Sequence, residues 1–582
     1  PAHLYDAVHG LLTRASAGSL SAAAHKFTLY APCLLDGELP DPHLTKLQDL
    51  ITSQYPPALL ANGEGCKAQS DGFTVAGCPV GTHSYKRKAM MDILQKHEVV
   101  HEHVRDMKDT QAAFLILRFS LTHRISYWAQ LLGPFMHSAP TESSEMSIAT
   151  TADNLQRTTL AHILSNPLLP DDLRPQVANS LLHSDAFTTA MNQAILRTSD
   201  GGLGLRSAVM LSNSSFISST LHTIQFVKEH EAHLGIPSSD VSHTSNLQTM
   251  VDLRSAIDSH HGNPAGSESA LQTLLSEKPP SSKSLADKAF ANLRAQLLTQ
   301  QTSPAQRARL LSAGGSFAGT WLSIFPTRPI STARARHYQL ALLLRLGLPI
   351  QELTVPLPCS GCNLQHDIYG HHVSGCKKGN RSGLWTSRHD ALISALVYVL
   401  RSLDLVASHC HNTSGYFPPE SRKSADAVVP NTTAPGSHHF FDGAIADPCT
   451  RSNINASSSS STKAGAAASS RAAKKLSKYS ALCRSVDSDF TPVVIETFGA
   501  VDDHIVGLLR RYCTEARKNR FLDDILDQDA DGVNNRDPNF TFNSASLMTY
   551  CAGLLTFTTV ISHSHMLHQQ LVTSYPREYG LD

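Results

Sequence analysis

The sequence has no excess of charge of either sign: 49 Lys and Arg stand against 49 Asp and Glu in 582 residues. A chain-wide basic field is thereby excluded as a means of holding nucleic acid, so any basic surface has to be local. No apolar run reaches the roughly 18 residues of a transmembrane helix, and none is expected. A charged-then-apolar leader is missing too. The chain opens Pro-Ala-His-Leu without an initiator Met, and it is expected to be a piece of something longer. Cysteine is sparse, 11 residues and mostly scattered. A chain of this length needs no disulfide staples, and such usage suits a reducing compartment. No internal repeat is found. What is left is a polar, globular chain with room for three or four domains.

Against this scatter stands one dense stretch, CSGCNLQHDIYGHHVSGC at 359–376. Cys359 and Cys362 are two residues apart, which lets both thiolates turn toward one ion. His371 and Cys376 complete C-x2-C-x8-H-x4-C, with His366 and His372 as alternative nitrogen ligands. Three thiolates and an imidazole suit tetrahedral Zn²⁺. Gly361, Gly370 and Gly375 permit the tight turns. Four protein ligands leave no open position, so the zinc is expected to be structural.

Periodicity organises the rest. Strands are expected at 25–34 and 72–82. Helices are expected at 106–132, as one helix or a pair, and at 168–182 and 185–198, with a glycine break at 199–208. Residues 235–285, rich in Ser, His, Gly and Pro, read as a weakly ordered connector. Helices return at 285–313, 332–348 and 386–404. Strand-like pieces follow at 424–430, 438–446 and 491–497, around a Ser/Ala run at 455–470 that reads as a flexible insertion. The tail beyond 500 reads as helix, then loop.

Two of those strands carry a carboxylate among apolar residues: Asp426 in RKSADAVV and Asp442 in HHFFDGAIADP. A carboxylate there is costly unless paired or metal-bound, and two on adjacent strands can share one Mg²⁺, a hard ion that prefers oxygen. The following helix holds Lys474, Lys475, Lys478 and Tyr479. Lys475 and Lys478 are one turn apart and can reach one site. Metal, carboxylates and lysine are what phosphodiester hydrolysis needs: the metal activates water and the lysine offsets phosphate charge. Glu496, closing the strand FTPVVIE, is a further candidate ligand or water-orienting group. Arg388 and His389 open the helix before this segment, with Asp390 beside them, and are candidates for holding phosphate. The order helix, strand, Asp-strand, Asp-strand, Lys-helix, strand resembles the core of restriction-like PD-(D/E)xK nucleases, with the lysine moved from strand to helix.

Together, the cysteine loop, Arg388-His389-Asp390, Asp426, Asp442 and Lys475, Lys478, Tyr479 resemble the C-terminal part of a site-specific non-LTR retrotransposon polyprotein. Where that family has a Pro-Asp motif, this chain has Lys-Ser-Ala-Asp. In the front half, LSAAAHKFTLYAP (20–32) resembles the reverse-transcriptase stretch after the catalytic carboxylates, with Lys26 at the motif lysine. GCPVGT (77–82) resembles the primer-grip turn, and 109–128 the thumb. The Tyr/Phe-x-Asp-Asp motif that should precede Lys26 is absent, and FLDD (521–524) lies after the nuclease segment, so polymerase activity is not expected.

The resemblance implies a multidomain chain, mostly α in its N-terminal half. Its parts are a partial reverse-transcriptase palm (1–90), thumb and linker helices (91–227), a connector (228–285), a helical linker (286–350) and a zinc knuckle (351–380). An α/β restriction-endonuclease-like domain (381–512) and a C-terminal extension (513–582) follow. It implies a structural Zn²⁺, a catalytic Mg²⁺, nicking of target DNA to prime reverse transcription of the element's RNA, and work in the nucleus after passage through the cytoplasm. No membrane partner is expected, and a homodimer is compatible. The alternatives are a non-catalytic, zinc-containing nucleic-acid-binding relic and a zinc-stabilised helical interaction protein. The last of these expects Asp426 and Asp442 far apart and exposed.

Overall fold

The computed structural model describes residues 28–30, 67–69, 71–138, 146–230, 248–261, 273–275, 278–354, 358–359, 362–376, 382–410, 424–430, 436–528 and 544–574. The expectations for Lys26 and Gly361 lie outside them. The described chain is mostly helical with small sheets, and it divides into two compact units: Pro1–Glu98 with Ser138–Ile148, and Val99–His137 with Ala149–Asp582.

In the first unit, β1 (Thr28–Tyr30) pairs in parallel with β2 (Lys67–Gln69), and β3 (Gly72–Val75) forms an antiparallel hairpin with β4 (Cys78–Gly81). Val75 faces Cys78 across a two-residue turn in which Ala76 and Gly77 both have positive φ, 48° and 81°. That geometry matches the twist of the two strands, and Gly77 adopts it without a Cβ penalty.

The second unit carries the large core. The expected helix at 106–132 is Thr110–Ile116, a π-helical turn at Leu117–Leu121, and then Thr122–Arg124 and Ser126–Leu132. Gln111, fully buried, donates to the Ile324 and Ser331 carbonyls (3.0 and 2.9 Å) and accepts from the Ala333 amide (2.9 Å). It thereby satisfies backbone that would otherwise be stranded in the core. The glycine break at 199–208 is held by buried Arg345, which donates to the carbonyls of Gly202, Ala318 and Thr198.

Three expectations are corrected. The 235–285 connector contains a helix, Gln248–His261, whose Met250, Leu253, Ala256 and Ile257 pack on Phe216, Ile217, Leu221 and Ile224 of Ala208–Glu229. Those four residues recur at helical spacing, a signal hidden by the polar residues around them. The Ser/Ala run is no loose insertion either. Its alanines open the helix Ala466–Arg484, and Ala467, Ala468 and Ala472 pack on Ala444, Ala446 and Val494 of the sheet. Alanine has the best helix propensity and the smallest side chain that still packs, so helix and sheet can approach closely. Finally, part of the tail expected as loop is helical: Ser544–Ser574 is a 31-residue helix. Leu554, Leu555, Phe557 and Leu567 are buried along it.

Four helices of this unit frame its polar clusters, labelled in chain order: α1 (Ala335–Leu346), α2 (Ser382–Ser402), α3 (Ala466–Arg484) and α4 (Ser544–Ser574). The four-stranded sheet has the order β5 (Ser408–His409), β6 (Ala427–Pro430), β7 (His438–Ala446), β8 (Asp489–Glu496). Neighbouring pairs are antiparallel except β7 and β8, which are parallel and joined through α3. A parallel pair needs such a crossover. α2 lies on the sheet at β7, where Ile393 Cδ1 would stand 2.4 Å from a Cβ at position 443. A side chain at 443 would have to displace the Ile393 methyl that now packs on this glycine. Among the described residues no helix is long and apolar enough to cross a membrane.

Candidate functional site

Two clusters take shape in the second unit, one of sulfur and imidazole and one of carboxylates and cations.

In the cysteine loop, the Cys359 amide donates to the Leu364 carbonyl and the Asn363 amide to the Cys359 carbonyl, both at 2.8 Å. Asn363 takes positive φ (61°) to close the knuckle. Cys359 Sγ and Cys376 Sγ are 3.7 Å apart, and Cys362 Sγ is 3.2 Å from His372 Nε2. All four ligand atoms lie within 4.8 Å of one another. Tetrahedral Zn²⁺ with bonds of about 2.3 Å to sulfur needs sulfur atoms roughly 3.8 Å apart. The donor set and its spacing therefore fit a metal such as zinc.

The histidine that stands with the three thiols, and would be the nitrogen ligand of a bound metal, is His372, which corrects the expectation for His371. The two histidines start a single helical turn, His371–Gly375, so their side chains diverge. The turn is fixed by Asp367, whose Oδ1 accepts from the amides of Tyr369 and His371 and whose Oδ2 accepts from that of His372. The observed spacing is C-x2-C-x9-H-x3-C. His371 stands outside this group, and its charge lowers the pKa values of Asp447 and His563.

The second cluster gathers at β6 and β7. The Asp426 amide donates to the Phe441 carbonyl (2.8 Å), which registers Asp426 against β7, and the Gly443 amide donates to Asp426 Oδ2 at 2.6 Å. Asp426 and Asp442 share a hydrogen bond between their carboxyl groups. They are neither apart nor exposed: their side chains are 22% and 10% accessible. Lys475 from α3 forms an ion pair with Asp442. His389 from α2 reaches Asp426 through Nε2 (3.1 Å) and Asp390 through Nδ1 (3.3 Å).

The electrostatics follow from that geometry. Burial, then the hydrogen bond from Asp426, pushes the Asp442 carboxyl up to about 6, while Lys475 opposes the rise. For Asp426 burial also works upward, but His389, Asp442 and the Gly443 amide outweigh it and hold the group below its ordinary range. The hydrogen bond to Asp426 lifts His389 to about 9 against the pull of burial. At neutral pH His389 is therefore an imidazolium. Two carboxylates close enough to share a proton can also share a hard cation, and the oxygen donor set fits Mg²⁺.

Tyr479 serves from behind. Its hydroxyl donates to the Ser424 carbonyl (2.8 Å) and accepts from Lys478 Nζ (2.6 Å), which ties α3 to the segment that carries Asp426. Burial raises its pKa, so it stays a neutral phenol. Lys474 is exposed on the same helix and joins none of these contacts.

Two expected members are elsewhere. Glu496 pairs with Ala446 four residues beyond the Asp442–Pro492 pair, too far along the sheet to join the acids. It is 1% exposed and accepts from the Ala468 amide (3.0 Å) at the start of α3, so it caps that helix and does not ligate. Arg388 is 4% exposed, donates to His563 Nδ1 (2.7 Å) and lies 4.6 Å over the Trp385 ring. It is not a surface phosphate contact of this cluster, because one helical step turns it about 100° away from His389. The Gly443 amide and Asp367 are site members that residue type alone did not reveal. The signal that could have found Asp367 is the Asx-turn pattern Asp-x-Tyr-Gly at 367–370, which the sequence reading did not use.

No protein-family model matches this chain, and no curated protein does.

Proposed function

We propose that this chain is a retroelement-derived DNA endonuclease fragment that nicks target DNA in the nucleus to prime reverse transcription. The observation that carries the reading is the convergence of Asp426 at the entry to β6, Asp442 in the adjacent β7 and Lys475 on the crossover helix. Such a constellation suits phosphodiester hydrolysis and has little use as mere packing, since burying it costs free energy. The order of elements around it, with the metal-binding knuckle just ahead, supports the likeness to restriction-like nucleases of non-LTR retrotransposons. The β3–β4 hairpin agrees with the primer-grip likeness of the front half.

In this reading Asp426 and Asp442 hold Mg²⁺, which when bound supplies an activated water and neutralises phosphate charge. Lys475 stands beside Asp442 to offset charge building on the phosphate oxygens. Tyr479 positions the Asp426 segment through Ser424. His389 keeps a charged N–H on Asp426 and orients it. Lys474 meets the DNA backbone from outside.

The test is nicking of supercoiled plasmid with Mg²⁺. Replacing a residue that only orients a metal ligand costs about 10–100-fold, so Asp442→Ala, which removes a ligand, should lower nicking by at least about a hundredfold. Equal nicking by both proteins rejects the mechanism. A second reading, a nucleic-acid-binding relic without catalysis, is favoured by one observation: His389 and Lys475 already neutralise the two acids. It expects undiminished DNA binding and no nicking by the unaltered chain.

A further inference from the structure

A patch of exposed rings and cations lies in the second unit, on the π-helical turn Leu117–Leu121 and the segment 322–325. Arg118 is pinned there: its Nη1 donates to the Leu322 carbonyl (2.8 Å) and to Ser323 Oγ (3.0 Å). Its guanidinium lies 4.6 Å over the Phe119 ring. Phe119 in turn stacks on Phe325, with ring centroids 5.7 Å apart and planes 26° from parallel. Neither ring is packed away: Phe119 is 43% exposed and Phe325 55%. His123 and Arg124, both exposed, follow on the same helical stretch, and Arg206 donates to His123 Nδ1 at 3.1 Å. Among the described residues none of these cations has a carboxylate partner. Burial, then Arg206 and Arg118, holds His123 below its ordinary value, and no acid opposes them. None of these residues belongs to the carboxylate cluster or the cysteine loop.

We propose that this patch binds an unpaired DNA strand, its bases stacking on Phe325 and Phe119 and its phosphates meeting Arg206, His123 and Arg124. Single exposed apolar residues are ordinary on a surface. Two exposed rings stacked on each other, and backed by a fixed guanidinium, make an extended flat face instead. An unstacked base offers a π-face to match it, and stacking on aromatic side chains grips a strand without regard to its sequence. Cations without acids beside that face select a polyanion over an apolar protein surface. A duplex keeps its base faces covered, so the rings choose the single strand. The π-helical turn that carries Arg118 and Phe119 is an irregularity often found at functional sites. The choice of DNA rests on the nicking reading, since nicking frees a strand end; the binding of a strand does not.

The test is fluorescence anisotropy of a labelled decathymidylate with the whole chain and no added Mg²⁺, which reads binding apart from cleavage. The strand should bind saturably. Phe325→Ala should weaken it by about five- to a hundredfold, the worth of one stacked base, and leave binding of a duplex unchanged. Phe325→Tyr should keep full affinity, whereas Phe325→Leu, apolar but without a π-face, should not. Arg206→Gln should reduce the slope of log affinity against log salt by about 0.7, the share of one phosphate on a single strand. Phe325 is exposed, so its variants should melt like the unaltered chain. Asp442→Ala should bind the strand undiminished, so that failure of the nicking mechanism and failure of this site are told apart. No saturable binding, equal affinity in Phe325→Ala or Phe325→Leu, or equal weakening of strand and duplex overturns the proposal. Tighter binding of decauridylate than of decathymidylate overturns the assignment to DNA.

Discussion

His389 sits between two carboxylates and keeps its proton as a result. Its ordinary value of 6.5 is lifted to about 9, chiefly by the bond to Asp426. A group raised on folding stabilises the fold fully below its unfolded value and ceases to do so as pH passes the folded value. The contribution of His389 is therefore complete below about pH 6.5 and disappears by about pH 9. Urea melts of the whole chain should lose stability across that window, and His389→Gln should flatten the slope. Parallel pH profiles for the two proteins would show that the pair does no such work. At this scale the sequence was informative where physics penalises a residue type. Asp426 and Asp442 stood out because carboxylates are expensive among apolar neighbours. Between His371 and His372 it was silent, since which ring faces the thiolates depends on the phase of one helical turn that only Asp367 fixes.

At the scale of elements, the knuckle makes a sharp expectation. Removal of the metal by a chelator, or Cys359→Ser, should take the chain from one bound Zn²⁺ to none, measured by elemental analysis. His372→Ala should weaken zinc by at least about a hundredfold, while His371→Ala leaves the stoichiometry intact. The reverse result would return the ligand to His371. Strands β6, β7 and β8 were readable in the sequence because they are short apolar runs of β-branched and aromatic residues between turn signals. α3 was only half readable. Its lysines were evident, but a run of Ser and Ala resembles a linker in composition and reveals its role only once Ala467, Ala468 and Ala472 meet the sheet. α4 was missed because much of what it buries is polar by type. Thr559 and Ser564 return their hydroxyls to the carbonyls of Leu555 and Val560, and His563 meets Arg388. Such pairing makes these residues suitable for an interior, and composition does not record it.

At the scale of the molecule, α4 joins regions that are distant in sequence. Leu554, Leu555, Leu567 and Leu571 share one core with Leu340, Leu343 and Leu344 of α1 and with Leu392, Leu396 and Leu400 of α2. Leu567 Cδ1 would stand 3.3 Å from a Cβ at Gly370 in the cysteine loop. Leu555→Ala should therefore destabilise the whole second unit by about 2–5 kcal/mol and not merely fray a terminus. Equilibrium unfolding read by Trp fluorescence checks this, and a loss under about 0.5 kcal/mol, the ordinary value for a surface change, would place α4 outside the core.

This packing sets a timetable for the newborn chain. A ribosome that has finished α2 must add some 170 residues before α4 is complete, roughly ten to thirty seconds at ordinary elongation rates. Through that interval the leucines of α1 and α2 lack the part of their cover that α4 supplies. Chaperone capture should peak there and fall once α4 leaves the exit tunnel.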